Sequence, residues 1–130
     1  MQKEQKIKSN AIELSEYDAI TSTLQLYIDG GKTGDTAKMK EAFHPEATIF
    51  GYVGGDLFAG PIQQLFDWND QNGAAPGLQG RITSIDIIET VASVRLELDS
   101  WTGHRFTDLF TLLKVDGHWK IMNKVFHLHP

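Results

Sequence analysis

The sequence predicts an α+β domain, with helices from its first half gathered on one face of a curved antiparallel sheet. Three observations carry that prediction. Tyr17, Ile20, Leu24, Tyr27 and Ile28 recur at helical spacing. Ala92, Val94, Leu96 and Leu98 alternate with Ser93, Arg95, Glu97 and Asp99, the period of a half-buried strand. Asp116-Gly117 divides two further alternating runs, a strong hairpin signal.

Taken in order, residues 1–14 are polar and read as a flexible lead-in, which leaves 15–130 as the domain. Ser15 followed by Asp18 resembles a helix N-cap box, and Gly30-Gly31 is expected to stop that helix. A second short helix takes Asp35 or Thr36 as its cap, buries Met39, Ala42 and Phe43, and ends at His44-Pro45. At that end His44 is expected to meet the last helical carbonyls. Ala47 to Val53 reads as a strand, Gly54-Gly55 as a turn, and Leu57 to Ala59 as a short return. Pro61 suits the first turn of a third helix with Ile62, Leu65, Phe66 and Asn69 on one face, closed by Gly73. After a loop over 72–80, the chain from Arg81 onward reads as four antiparallel strands.

Composition narrows the classes of function. At 130 residues, with 41% hydrophobic and 22% charged, the chain is expected to form one globular domain with a substantial core. Net charge is −5 and the basic residues are dispersed, which argues against nucleic acid as a partner. The absence of cysteine excludes disulfides, thiolate metal sites and a cysteine nucleophile. No run approaches the length of a membrane span, and the charged start lacks the apolar stretch of a signal peptide. A cytoplasmic location is the default expectation, although a chain trimmed of a leader would read the same way.

The hairpin about Asp116-Gly117 supplies the candidate site. A two-residue turn pairs Val115 with His118, and counting outward sets Phe110 opposite Asn123, Asp108 opposite Val125 and Phe106 opposite His127. One face then carries Phe106, Asp108, Phe110, Leu112, Trp119, Ile121, Asn123, Val125 and His127. Asp108, Asn123 and His127 become diagonal neighbours on the buried face, roughly 7–8 Å apart. Buried polar groups need partners, so such a cluster marks an internal network or a pocket. A bulge at Gly117 would instead bring Asp108 to face Lys124 and dissolve the cluster. Tyr27, on the packed face of the first helix, needs a partner for its hydroxyl, while Tyr52 and Trp68 supply aromatic walls. His127 and His129 share a strand face, but two histidines without a third ligand do not make a metal site. Trp101, His104 and Arg105 read as turn and rim residues.

Four stretches carry a resemblance: Tyr27-x7-Asp35, Phe43-His-Pro-Glu-Ala-Thr-Ile49, Gly60-Pro61 and Asp116-Gly-His-Trp-Lys-Ile121. Together with the element order they resemble the nuclear transport factor 2-like superfamily, from about residue 16 onward. Phe106-Thr-Asp-Leu-Phe-Thr-Leu-Leu and Trp119-Lys-Ile-Met-Asn-Lys-Val-Phe look most like its putative lumazine-binding branch. The resemblance implies a cone-shaped sheet wrapped around N-terminal helices, and a homodimer formed through Leu109, Leu113, Met122 and Phe126 on the outer sheet face. Ketosteroid isomerases and polyketide cyclases are similar in fold. Of the isomerase machinery, the oxyanion tyrosine falls on Tyr27, a second tyrosine on Phe43, the catalytic base on Gly51 and the protonated acid on Asp108. A glycine cannot take a proton, so isomerisation by that mechanism is disfavoured.

The expected function is therefore a small-molecule binder. Its conical pocket takes an aromatic or fused-ring ligand among Tyr27, Tyr52, Trp68, Asp108, Phe110, Asn123 and His127, with no cofactor. The alternative is a cofactor-independent dehydratase, isomerase or cyclase in which His127 moves a proton and Asp108 orients it. A dimeric scaffold without a ligand is the third reading.

Overall fold

In the computed structural model, which describes residues 12–130, the chain opens with helix α1, Leu14–Thr33. Of the expected lead-in, residues 1–11 lie outside the described residues, and Leu14 already belongs to the helix. Glu13 stands at the N-cap position without a side-chain bond, so Ser15 is not the cap. Nor do Gly30 and Gly31 end the helix, which runs on to a left-handed C-cap at Gly34. They serve close packing instead. A Cβ on Gly30 would lie 2.6 Å from that of Met39, and one on Gly31 would lie 2.8 Å from Leu78. Helix α2, Thr36–Lys40, rests in that space, with the Asp35 carboxylate accepting from the Lys38 amide at 3.1 Å.

The strand β1, Phe43–Val53, begins earlier than the pattern suggested and takes in His44 and Pro45. His44 accepts from the Glu46 amide instead of meeting helical carbonyls. Strand β2, Asp56–Pro61, returns antiparallel to β1 and includes Pro61, so helix α3 starts two residues later and covers Gln63–Asn72. The meander follows: β3 Gln79–Ile88, β4 Val91–Trp101, β5 His104–Val115 and β6 His118–Leu128.

One sheet holds all six strands in the order β2-β1-β6-β5-β4-β3. The expected antiparallel pairing holds everywhere except between β1 and β6, which run parallel. Register shifts interrupt β1–β6, β3–β4, β4–β5 and β5–β6. Such bulges bend strands and increase their twist, which is how six strands curl into a half-cone. Across the inside of the curl lie α1 and α3, and between helices and sheet sits a continuous core that includes Leu24, Tyr27, Met39, Ile49, Leu96 and Ile121.

Candidate functional site

The hairpin turn forms as expected, with Asp116 and Gly117 both at positive φ and Val115 opposite His118. Pairing follows the predicted register as far as Leu112 opposite Ile121. There it slips: Thr111 faces Asn123, leaving Met122 as the extra residue of a bulge. A shift of one residue sends every later side chain to the other face of the sheet. Lys124, Phe126 and Leu128 therefore point into the cone, in place of Asn123, Val125 and His127.

This corrects several expectations. His127 is exposed on the outer face, in edge contact with His129, and forms no pair with Asp108. Asn123 also faces outward and donates to the Thr48 hydroxyl at 2.9 Å. Tyr52 is 65% exposed on the outer face of β1. Phe110 is buried, but it packs edge-on to the Tyr27 ring beneath the cavity and does not line it. Trp68, Asp108 and Tyr27 do converge on the interior. Trp101, read from sequence as a rim residue, is fully buried in the cavity wall. Phe126, expected at a dimer face, is buried inside.

The preferred register missed Lys124, which the sequence reading brought to Asp108 only through a bulge at Gly117; the bulge lies at Met122 instead. The Lys124 side chain is 5% exposed, and its ammonium donates to the Tyr27 hydroxyl at 2.7 Å. That hydroxyl in turn donates to Asp108 Oδ2 at 2.8 Å, and Lys124 Nζ lies 3.8 Å from the same oxygen. Three strongly polar groups from α1, β5 and β6 thus form one chain in the middle of the core. Aromatic rings surround it. Lys124 Nζ stands 5.0 Å from the Tyr27 centroid, 5.6 Å from Trp101 and 5.4 Å from Phe126, within range of cation–π attraction. Burial dominates the electrostatics. It raises the Asp108 carboxyl above the usual carboxylate range, against the pull of Lys124 and the Tyr27 hydrogen bond. It lowers the Lys124 ammonium, against the attraction of Asp108. Burial, with Asp108 beside it, pushes the Tyr27 phenol well above its ordinary value. Asp108 Oδ1 has no hydrogen-bond partner among the described residues, so the carboxyl keeps an unused acceptor.

Lys124 opens onto a cavity of about 180 Å³. The buried part of its wall is Ile49, Leu65, Trp101 and Phe126, with Phe58, Trp68, Phe106 and Leu128 half-buried and Val53 and His104 exposed. Lys124 and His104 are the ionisable side chains of this wall. Gly51, where the isomerases place their base, faces inward, but the Phe126 ring takes its space: a Cβ there would lie 2.5 Å from that ring. Among the described residues no group of three or more histidines, carboxylates or cysteines could hold a metal ion, and no helix is long and apolar enough to cross a membrane.

Comparison with known proteins places this arrangement. The model of the Putative lumazine-binding family matches residues 15–127. An NTF2-like protein from Methylobacillus flagellatus KT is 51% identical and superposes with a TM-score of 0.89, over 92% of this chain and 96% of that one. Another from Shewanella baltica OS155 is 44% identical with a TM-score of 0.87, over 92% and 98% of the two chains. A relative named aldolase FrzH, from Cladobotryum sp, is 35% identical over 120 residues, 92% of this chain and 96% of that protein. The chain belongs to the Putative lumazine-binding family, with the nuclear transport factor 2-like fold. Family and fold support a ligand-binding domain.

Proposed function

We propose that the chain binds a small, mostly apolar, ring-bearing molecule in the cone, with one oxygen of the ligand on Lys124. The observation that carries this is the pairing of an apolar wall with a single buried ammonium at its inner end. Pockets that recognise small molecules combine apolar surface with a few fixed polar groups. An apolar cavity of about 150 Å³ accommodates benzene. One ring therefore fits inside, and a second, as in a fused system, extends between Phe58, Phe106 and Leu128 towards the mouth. Lys124 takes the anchoring role expected of Asn123 and His127, while Tyr27 and Asp108 hold Lys124 in position. Thermal melting with lumazine, a flavin and aromatic ketones tests the reading. Val53→Trp, a plug at the exposed mouth, should abolish stabilisation by a bound compound and leave the melting of the free protein near wild type. Equal stabilisation of both proteins would place the compound elsewhere.

The second reading, a cofactor-independent enzyme, is favoured by the relative named an aldolase. In this reading its proton-moving groups are Lys124, Tyr27 and Asp108, in place of the His127–Asp108 pair expected from sequence. Turnover of a carbonyl substrate, lost in Lys124→Met, separates it from simple binding.

We also infer that two copies pair through the outer sheet face. Phe50, Val125 and Leu109 align across β1, β6 and β5, and all three are at least 40% exposed. Polar rows flank them, Thr48-Asn123-Thr111 on one side and Tyr52-His127-Thr107 on the other. An apolar centre with a polar rim is the anatomy of a protein interface.

A further inference from the structure

We propose that Lys124 is a reactive amine that captures the carbonyl carbon of a ring-bearing ketone or aldehyde as an imine. The inference rests on the reading of the cone as a small-molecule site and extends it by assigning a covalent bond.

Position is the first argument. Lys124 Nζ sits beside Trp101 and Phe126, both of which line the cavity, so a ligand seated against those rings meets the amine. The second argument is the route for the proton. An amine attacks only when neutral, and its ammonium must first give up a proton. Tyr27 bridges Lys124 to Asp108, with both hydrogen bonds under 3 Å, and Asp108 Oδ1 has an acceptor to spare. Moving the proton from Lys124 through Tyr27 to Asp108 turns two buried charges into two neutral groups. Desolvation favours that direction for both partners. The titratable groups facing Lys124 are thus Tyr27 from α1 and Asp108 from β5, with His104 in the same cavity wall.

The step balances without a cofactor. The nitrogen lone pair forms a C–N bond while the carbonyl π pair moves to oxygen, which takes the proton that the nitrogen gives up. The proton held on Asp108 returns through Tyr27 to the new hydroxyl, which departs as water while the nitrogen lone pair closes the C=N bond, leaving a protonated imine beside the Asp108 carboxylate. Addition of water reverses the sequence and releases the lysine. The apolar wall limits the access of bulk water to the imine.

The test uses the full chain with benzylacetone and cinnamaldehyde as probes and sodium cyanoborohydride as trapping reductant, read by intact mass and peptide mapping. Melting with each probe is measured in parallel without reductant. The proposal expects the reduced adduct on Lys124 to form roughly tenfold faster than on any exposed lysine at neutral pH. Tyr27→Phe should slow that labelling and shift its pH profile, and Lys124→Arg should remove it. Stabilisation by benzylacetone with adducts only on exposed lysines overturns the imine and leaves the binding reading standing. Neither stabilisation nor a Lys124 adduct overturns both. The decisive mapping is made on the wild-type protein, so a misfolded variant cannot obscure the answer.

Discussion

Asp108, Tyr27 and Lys124 form a linked unit in which no member is replaceable alone. Asp108→Ala leaves a buried ammonium beside a phenol, and loss of one member of a buried pair costs about 3–5 kcal/mol. Urea denaturation should show a loss of that size. Tyr27→Phe removes the bridge and leaves Lys124 and Asp108 to satisfy each other; a cost of about 1–3 kcal/mol is expected in the same assay. The pH dependence follows from the directions of the shifts. Asp108, raised in the folded state, contributes stability below the ordinary carboxylate range, and that contribution is lost as pH rises through its raised value. Lys124, depressed, contributes fully above the ordinary lysine range and loses that contribution as pH falls through its depressed value. Unfolding free energy measured between neutral pH and the ordinary lysine range should therefore rise less steeply in Lys124→Met than in wild type. An unchanged slope would mean that Lys124 is not desolvated in solution. Gly51 makes a separate point. Gly51→Asp will not restore an isomerase base, because the new side chain collides with the Phe126 ring. A stability loss of about 1–3 kcal/mol, without gain of steroid isomerisation, is the expected result.

At the scale of elements, period and turn chemistry made most of the fold legible. The alternation over 92–98 became β4, and Asp116-Gly117 became the expected turn. The bulge at Met122 was not legible, because a bulge adds no residue type that marks it. Its trace is the adjacent apolar pairs Ile121-Met122 and Val125-Phe126, each of which fits either phase of the alternation. Counting without the bulge placed Lys124 in water and His127 in the core, so Asp108 was set in the interior without the lysine that accompanies it. The double glycine of α1 misled for a related reason: a close approach between elements is a tertiary fact, and locally it reads as a helix stop. Gly30→Ala tests this. At a helical position with free space alanine would stabilise the helix, whereas the contact with Met39 predicts a loss of about 1–3 kcal/mol in a denaturant titration.

For the whole molecule, the curl of the sheet divides two surfaces, an inner one that we propose takes a ligand and an outer one that we propose pairs with a second copy. Val125→Lys places charge at the middle of the exposed apolar row and leaves the inner wall untouched. Sedimentation should report a dimer for wild type and a monomer for this variant, while the thermal response to cavity ligands persists. The parallel join of β1 to β6 has a further consequence, for synthesis. The strand that carries Lys124 is the last of the six to leave the ribosome, yet it belongs between β1 and β5. Until it arrives, both neighbours present unpaired strand edges, the hazard from which aggregation starts. Pairing residues so distant along the chain also slows folding. A nascent chain halted after Gly117 is thus a sheet with a slot, and another copy of β6 is the segment best shaped to fill it.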